Sequence, residues 1–337
     1  MQKVLAIPPD YSRLPSLSGE LTEMTWQYYG NHLTDVLPAL GTHSPMNKAQ
    51  IAHMFGSMPA SLIREHDWRN DVVTVGTVPA EFVKEVTEGA VNFPWSAHVN
   101  KLLVEGNFNL ILSIGQVVPH EVVGMANYNK NIFVDTGGGA EGIHKSHFIG
   151  AAYSMERMMG HADTPVRRIF NYASENFIQH LSIVYVQTVV GLDKSDWKIK
   201  TSGLLIGDDF EVFDKASKLA LLVNSELLDK PLKKVLVYLD PTEFKSTWLG
   251  NKSIYRTRMA IEDGGELILL APALKEFGED KEIESVGFNY ADIDAVTAKY
   301  DPVALRDGFH IMPDGEEIFY ISSPVLGLWS FNERFKY

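Results

Sequence analysis

The sequence predicts an α/β protein made of two α/β domains. Three observations carry that expectation. Short apolar, β-branched runs alternate with longer segments of helical periodicity. The runs are nearly continuous in apolar residues, as strands are when both faces of a parallel sheet are covered. The pattern then restarts after the charged, proline-bearing stretch "DKPLKK" at 229–234, which reads as a linker. The expected domains are 1–229 and a smaller 230–337.

In the first domain "DVLPAL" (35–40), "DVVTVGTV" (71–78) and "NLILSIGQVV" (109–118) are expected as buried strands. "SPMNKAQIAHMF" (44–55) is expected as a helix, with Ser44 as N-cap and Pro45 at the first helical position. "KSHFIGAAYSMERMMG" (145–160) is amphipathic and should stop at Gly160. "DDFEVFDKASKLALLVNSELL" (208–228) reads as a long helix whose acidic first turn suits the helix dipole. In the second domain "VLVYLDP" (235–241) is a strand and "IYRTRMAIED" (254–263) a helix ended by the following Gly-Gly. A strand "ELILLAP" (266–272), a helix "DIDAVTAKY" (292–300) and a strand "EIFYISSPV" (317–325) complete it.

Composition narrows the function. Of 337 residues, 45% are hydrophobic and 22% charged, as in globular proteins. A net charge of −13 argues against nucleic acid and anionic membranes as partners. With no cysteine, disulfides, thiolate zinc sites, iron–sulfur clusters and cysteine nucleophiles are excluded. A metal would rest on histidines, carboxylates or ligands that a cofactor brings. The opening "MQKVLAIPPDYSR" has no signal-peptide core, and no apolar run reaches membrane-spanning length, so a cytoplasmic protein is expected.

Ligands of open α/β sheets bind beyond the carboxyl ends of the strands. His43 in "LGTHSPM" and His120 in "VVPHEVVG" each follow a strand-like run. A loop histidine ordinarily caps or packs, but two at equivalent strand ends can serve as acid and base around one crevice. Asp10 and Arg13 in "IPPDYSR" follow an apolar start. They read either as a surface ion pair or as a guanidinium presented to an anion. The glycines of "DTGGGAEGIHKSHF" permit close backbone approach before a helix, where a phosphate can sit. His144 and His147, three apart, can chelate a metal from one helical face, or divide into one buried and one solvated ring. Lys130 follows His120 by ten residues and is singled out by nothing else.

In order along the chain, these segments resemble the nickel-pincer lactate racemase family, whose members racemise or epimerise 2-hydroxy acids. "PPDYSR" is similar to the family's Pro-Pro-Asp-x-Thr/Ser-Arg motif, and "GTHSPM" to its Gly-x-His-x-Pro-Met motif. "PHEVVGMANYNK" matches its Pro-His, glycine and lysine. "KSHF" falls where its metal-binding histidine is expected. "GNKSIYRTRMAIEDGGELILLAP" resembles its second-domain segment that reaches back to the cofactor. The chain departs from the pattern where the family has Gly-Tyr-Ser-Gly-Gly-x-Lys: here the segment is Gly-Met-Ala-Asn-Tyr-Asn-Lys, and Gly137–Gly139 are the nearest candidates to replace the missing glycines.

The resemblance implies an isomerase with its site in the cleft between two domains. The first would be catalytic and cofactor-anchoring, and the second would close the cleft. It implies a nickel-pincer nucleotide (pyridinium-3-thioamide-5-thiocarboxylic acid mononucleotide nickel) tethered to Lys130, made by separate cofactor-biosynthesis proteins. His147 would be the nickel ligand, and His43 and His120 the acid/base pair. Asp10, Arg13 and Lys252 would bind cofactor or substrate, with Lys245 competing for the role of Lys252. The α-hydrogen of a hydroxy acid is poorly acidic, so it would leave as hydride to the pyridinium while a histidine takes the hydroxyl proton. Two other readings are open: a non-catalytic ligand- or cofactor-binding protein of the same fold, and a conventional metal enzyme using His144 and His147 with Glu141 or Asp135.

Overall fold

In chain order the first unit, Met1–Ser225, begins with β1 (Val4–Ile7), α1 (Ser18–Tyr29), β2 (Leu33–Val36), α2 (Lys48–Phe55), β3 (Val72–Val78) and α3 (Ala80–Val86). It continues with β4 (Trp95–Asn100), α4 (Lys101–Glu105), β5 (Leu110–Gln116) and the two-residue strands β6 (Pro119–His120) and β7 (Gly124–Met125). α5 (Lys145–Tyr153), α6 (Pro165–Phe177), β8 (Ile183–Asp193), β9 (Lys198–Gly207) and α7 (Phe210–Asn224) complete it. The second unit, Glu226–Tyr337, carries β10 (Leu232–Tyr238), α8 (Thr247–Gly250), α9 (Lys252–Thr257), β11 (Ile261–Leu270) and β12 (Ile318–Ser322). The computed structural model describes residues 2–274, apart from 139, 194, 197, 242, 243 and 251, together with 318–322. The architecture is α/β, the class the sequence predicts.

The main sheet has the order β2-β1-β5-β8-β9. β1 is parallel to both β2 and β5, β5 is parallel to β8, and β9 closes the edge antiparallel to β8. The chain lays β2 on one side of β1 and then returns to lay β5 on the other. The β1/β5 boundary is therefore the topological switch point, where the loops leaving the two strands diverge and open a crevice. β1 is fully buried, as a central parallel strand should be. Trp95, Phe133 and Phe170 form an aromatic core beside the sheet, with ring centroids 5.3–6.0 Å apart. Each such ring contributes roughly 1.5–3 kcal/mol by burial.

Several elements differ from the expectation, each for a physical reason. The strand at 71–78 does not join the main sheet: β3 pairs antiparallel with β4 in a two-stranded ladder and is largely half-exposed. α2 starts at Lys48, because Asn47 and Gln50 form a full capping box that outcompetes a lone Ser44 cap. α5 stops at Tyr153, well before Gly160, where Ser154 turns to φ 97°. In the second unit β10 takes up 232–234 of the expected linker. The expected helix 254–263 ends at Thr257, and β11 begins at Ile261. Gly264, at φ +77°, lies inside β11 near a register shift against β10, so the Gly-Gly pair belongs to the strand rather than to a helix end. The expected strand at 317–325 overlaps β12, and the expected helix at 292–300 lies outside the described residues. No helix among the described residues is long and apolar enough to cross a membrane.

Candidate active site

β1 and β2 stay paired past their ends. Leu37 and Ala39 donate backbone bonds to Ala6 and Pro8, and Pro9 bridges Ala39. This extension brings Asp10, just after β1, against His43, beyond β2. His43 Nδ1 donates to Asp10 Oδ2 at 2.7 Å. The other carboxylate oxygen of Asp10 accepts from the Ser12 hydroxyl at 2.5 Å and from the Ser12 amide at 3.2 Å. Burial pushes the Asp10 carboxyl pKa up, but His43, Ser12 and Arg13 together more than offset it, and the net shift is downward. Because Nδ1 of His43 holds its hydrogen toward Asp10, the lone pair of the neutral ring is on Nε2.

His120 ends β6, which folds back on β7 through the turn 121–123, pairing His120 with Gly124. Gly124 sits at φ +84°, and a Cβ there would lie 2.2 Å from the His161 carbonyl, so only glycine fits. The amide of Val122 donates to His120 Nδ1 at 3.1 Å. In neutral His120 the hydrogen is therefore on Nε2. The two histidines are held in opposite tautomers by their partners, one with a basic Nε2 and one with an Nε2–H.

From β7 the chain turns through Asn127 (φ 67°) and Tyr128 (φ 57°), two consecutive left-handed residues, and reaches Lys130. These are the two positions at which the Gly-Gly pair is missing, and the glycine-like conformation persists without glycine. For L residues it costs about 1–2 kcal/mol each. Asn127 offsets this by donating its amide to Gly115 O at 2.9 Å, at the end of β5. Tyr128 stacks on Phe213 at 4.9 Å and packs on Tyr185 at 4.3 Å. Lys130 Nζ pairs with Asp135 at 2.5 Å across one π-helical turn, Asn131–Asp135. The Asp135 carbonyl accepts the amide of Gly41 at 2.8 Å, which ties this turn to the His43 loop.

His147, on α5, donates Nδ1–H to Ile143 O at 2.8 Å. Burial lowers its pKa, and the charge of Lys130 lowers it further; the Ile143 carbonyl, Glu121 and Asp135 oppose this without reversing it. The ring is thus held neutral with its lone pair on Nε2, the state a metal ligand requires, and a backbone acceptor behind the far nitrogen is the usual second support of a ligating histidine. Lys130, Asp135 and Glu121 all lie within electrostatic reach of His147. The donor set fits a metal whose remaining ligands come from a lysine-tethered group. Among the described residues no cluster of three or more His, Asp or Glu forms a self-sufficient metal site.

The remaining candidates fall elsewhere. Arg13 is half-buried beside Asp10 and acts on its charge. Lys252 opens α9 and Lys245 precedes α8, both in the second unit. His144 packs edge-on against Trp68, with ring centroids 6.1 Å apart. The glycines at 137 and 138 form no open cradle. A Cβ on Gly137 would meet Phe133 O at 2.2 Å and His98 O at 2.4 Å, and one on Gly138 would meet Trp68 O at 2.9 Å. His98 Nδ1 also donates to Gly138 O at 2.7 Å. Their space is filled by the protein's own backbone, so they do not replace the missing glycines. Sequence reasoning missed Arg167, whose side chain hydrogen-bonds the 125–129 segment. The available signal was the Thr164 cap with Pro165 at the first helical position, which marks the start of α6.

No protein-family model matches the chain, and no curated protein matches it. Solved structures do. A structural-genomics protein from Thermotoga maritima is 23% identical with a TM-score of 0.77, over 95% of this chain and 82% of that one. The lactate racemase apoprotein from Thermoanaerobacterium thermosaccharolyticum is 18% identical with a TM-score of 0.64, over 91% of this chain and 72% of that one. The chain has the fold of lactate racemase. At these identities the likeness is one of fold, and the chemistry rests on the side chains described above.

Proposed function

We propose that the protein is a racemase or epimerase of a small 2-hydroxy acid, with His43 and His120 as its acid/base pair. The observation that carries this is the placement of His43 beyond β2 and of His120 beyond β5, strands on either side of β1, with Asp10 holding Nδ1 of His43 so that its Nε2 is the basic nitrogen. Neutral His43 can take a proton at Nε2, whereas His120 can give one only from its imidazolium form, in which Nδ1 is protonated as well and the Val122 contact is given up. His43 takes the substrate hydroxyl proton, and Asp10 steadies the imidazolium that forms. His120, as the imidazolium, supplies the proton when the substrate is re-formed with the opposite configuration, and exchange with water then discharges His43 and recharges His120. Arg13 holds the substrate carboxylate, and Lys252 of the second unit is the further cation proposed to bind substrate or cofactor.

Lys130 and His147 would hold a nickel-pincer nucleotide, Lys130 by covalent attachment and His147 through Nε2 on the metal. When bound, that group would supply the acceptor for the α-hydrogen with its electron pair. Attachment at Lys130 removes its ammonium charge and frees Asp135 from the pair seen here. Cofactor-biosynthesis proteins in the same cytoplasm are the partners this requires.

The test is α-deuterated substrate. Protein co-produced with the cofactor pathway is incubated with a panel of α-deuterated 2-hydroxy acids, and configuration and label are followed together. Inversion with retention of deuterium is expected. Inversion with wash-out into water would replace the proposal by direct proton abstraction, and no inversion of any substrate by loaded protein would end it.

A further inference from the structure

Arg167 lies on α6 and is 0% exposed. Its guanidinium reaches three oxygens of one short segment. Nη2 donates to Met125 O at 2.6 Å, and Nη1 to Asn127 O at 3.2 Å and Asn129 Oδ1 at 2.5 Å. All three acceptors are neutral. The cation lies over two aromatic rings, 4.4 Å from the Phe213 centroid and 5.8 Å from that of Tyr128. Burial brings its pKa down to about 9, which leaves it charged at neutral pH. The carboxylate whose field supports it is Asp135, itself paired with Lys130.

A buried cation bonded only to neutral oxygens is a costly way to fill a core, and an apolar side chain of similar volume often serves better. The position of its acceptors gives it a purpose. They bracket Asn127 and Tyr128, the left-handed pair that turns the chain from β7 toward Lys130. Carbonyls 125 and 127 converge on one guanidinium because the backbone between them is bent in this way, and a planar fork of donors fixes such convergence better than a point charge.

We propose that Arg167 is the positioning residue of Lys130: by gripping the oxygens of residues 125, 127 and 129 it holds the left-handed turn that presents the lysine ammonium to Asp135. The importance of this rests on the reading of Lys130 as the cofactor anchor, but its test does not.

The experiment uses full-length protein without cofactor, acetylated by an N-hydroxysuccinimide ester across a pH series and read residue by residue by mass spectrometry. Lys130, with its side chain 11% exposed and paired, is compared with Lys215, 61% exposed on α7. Arg167→Met is expected to raise the rate at Lys130 relative to Lys215 by about fivefold or more and to move its pH profile, as the pair with Asp135 loosens. Adding Asn127→Gly to Arg167→Met should recover most of the wild-type rate, because glycine adopts positive φ without support. If circular dichroism finds Arg167→Met unfolded, Arg167→Lys, which keeps the charge and loses the fork, is read by the same criteria. A folded variant with an unchanged Lys130 rate and profile overturns the proposal. So does a change that Lys215 shares, or one that Asn127→Gly does not recover. No turnover is measured, so failure of the racemase reading would appear in the deuterium experiment and not in this one.

Discussion

Asp10 and His43 leave neighbouring strands, and the bonds that orient them are made where those strands end: Pro9 beside Ala39, Ser12 on Asp10, Asp10 on His43. The segment from Met125 to Asn129 is bonded instead by a side chain 38–42 residues further along the chain. Both stretches are irregular backbone between regular elements. The first joins the ends of two strands adjacent in the sheet, is partly open to solvent, and its polar residues are present for one another. The second is core in all but secondary structure: Asn127, Tyr128 and Asn129 are buried, and the aromatic rings around Tyr128 come from β8 and α7. On the proposed function, such a crevice would move protons at an adjustable edge and hold a lysine steady at a fixed one.

The comparison breaks most visibly in activity. Replacing His43 or His120 by alanine should lower turnover by roughly 10²–10⁴-fold, the usual range for a lost general acid or base. For His43, the half-exposed member, stability should change by less than about 1 kcal/mol. Arg167→Met should do the reverse to stability. It strips charge-assisted bonds of roughly 1.5–3 kcal/mol each from three buried acceptors, offset in part by the relief of a buried charge, so urea unfolding should find a loss of about 3 kcal/mol. Equal stability losses in His43→Ala and Arg167→Met would erase the distinction between the two regions. Asp10→Asn comes next. It weakens a charge-assisted bond to His43 of roughly 1.5–3 kcal/mol, about a 10–100-fold fall in turnover, readable as a change in the pH–rate profile.

The smallest effects are in pH dependence, and they separate the regions again. His147 has a lowered pKa in the fold, so the unfolded chain takes up its proton first, and stability should begin to decline as pH falls below about 6.5. Asp10 also has a lowered pKa, but it is a carboxylate. Its contribution is complete above about pH 4 and is lost as pH falls through its folded value. Thermal melts across pH should therefore lose the upper limb in His147→Gln and the lower limb in Asp10→Asn.

The strand-end region was legible in the sequence and the support of the 125–129 segment was not. His43 and His120 announce themselves by following apolar runs, a signal that needs only a few residues on either side. The motif spacing also pointed to Lys130. Nothing near Asn127–Tyr128 says that two bulky residues adopt a conformation suited to glycine, because the compensation comes from Arg167, Phe213 and Tyr185, far along the chain. Arg167 itself reads as an ordinary charged helix residue. The same limit explains the elements that were misjudged. β3 has the composition of a sheet-core strand, but its partner is β4 and not the main sheet. β11 takes residues with helical periodicity because β10 and β12 flank it. The helix starting at Lys48 was decided by the reciprocal bonds of Asn47 and Gln50, and both residues were there to be read.

The grip of Arg167 also bears on when the Lys130 segment comes apart. Backbone outside helices and strands commonly opens alone, and its amide protons exchange with solvent through small local fluctuations. Here the carbonyls of Met125 and Asn127 end on a side chain rooted in α6 and packed on Phe213 of α7, so releasing them means withdrawing a buried guanidinium from the core. The amides from 125 to 130 should then exchange on the timescale of the whole domain's unfolding. The least regular stretch of the fold would be among the last to give way.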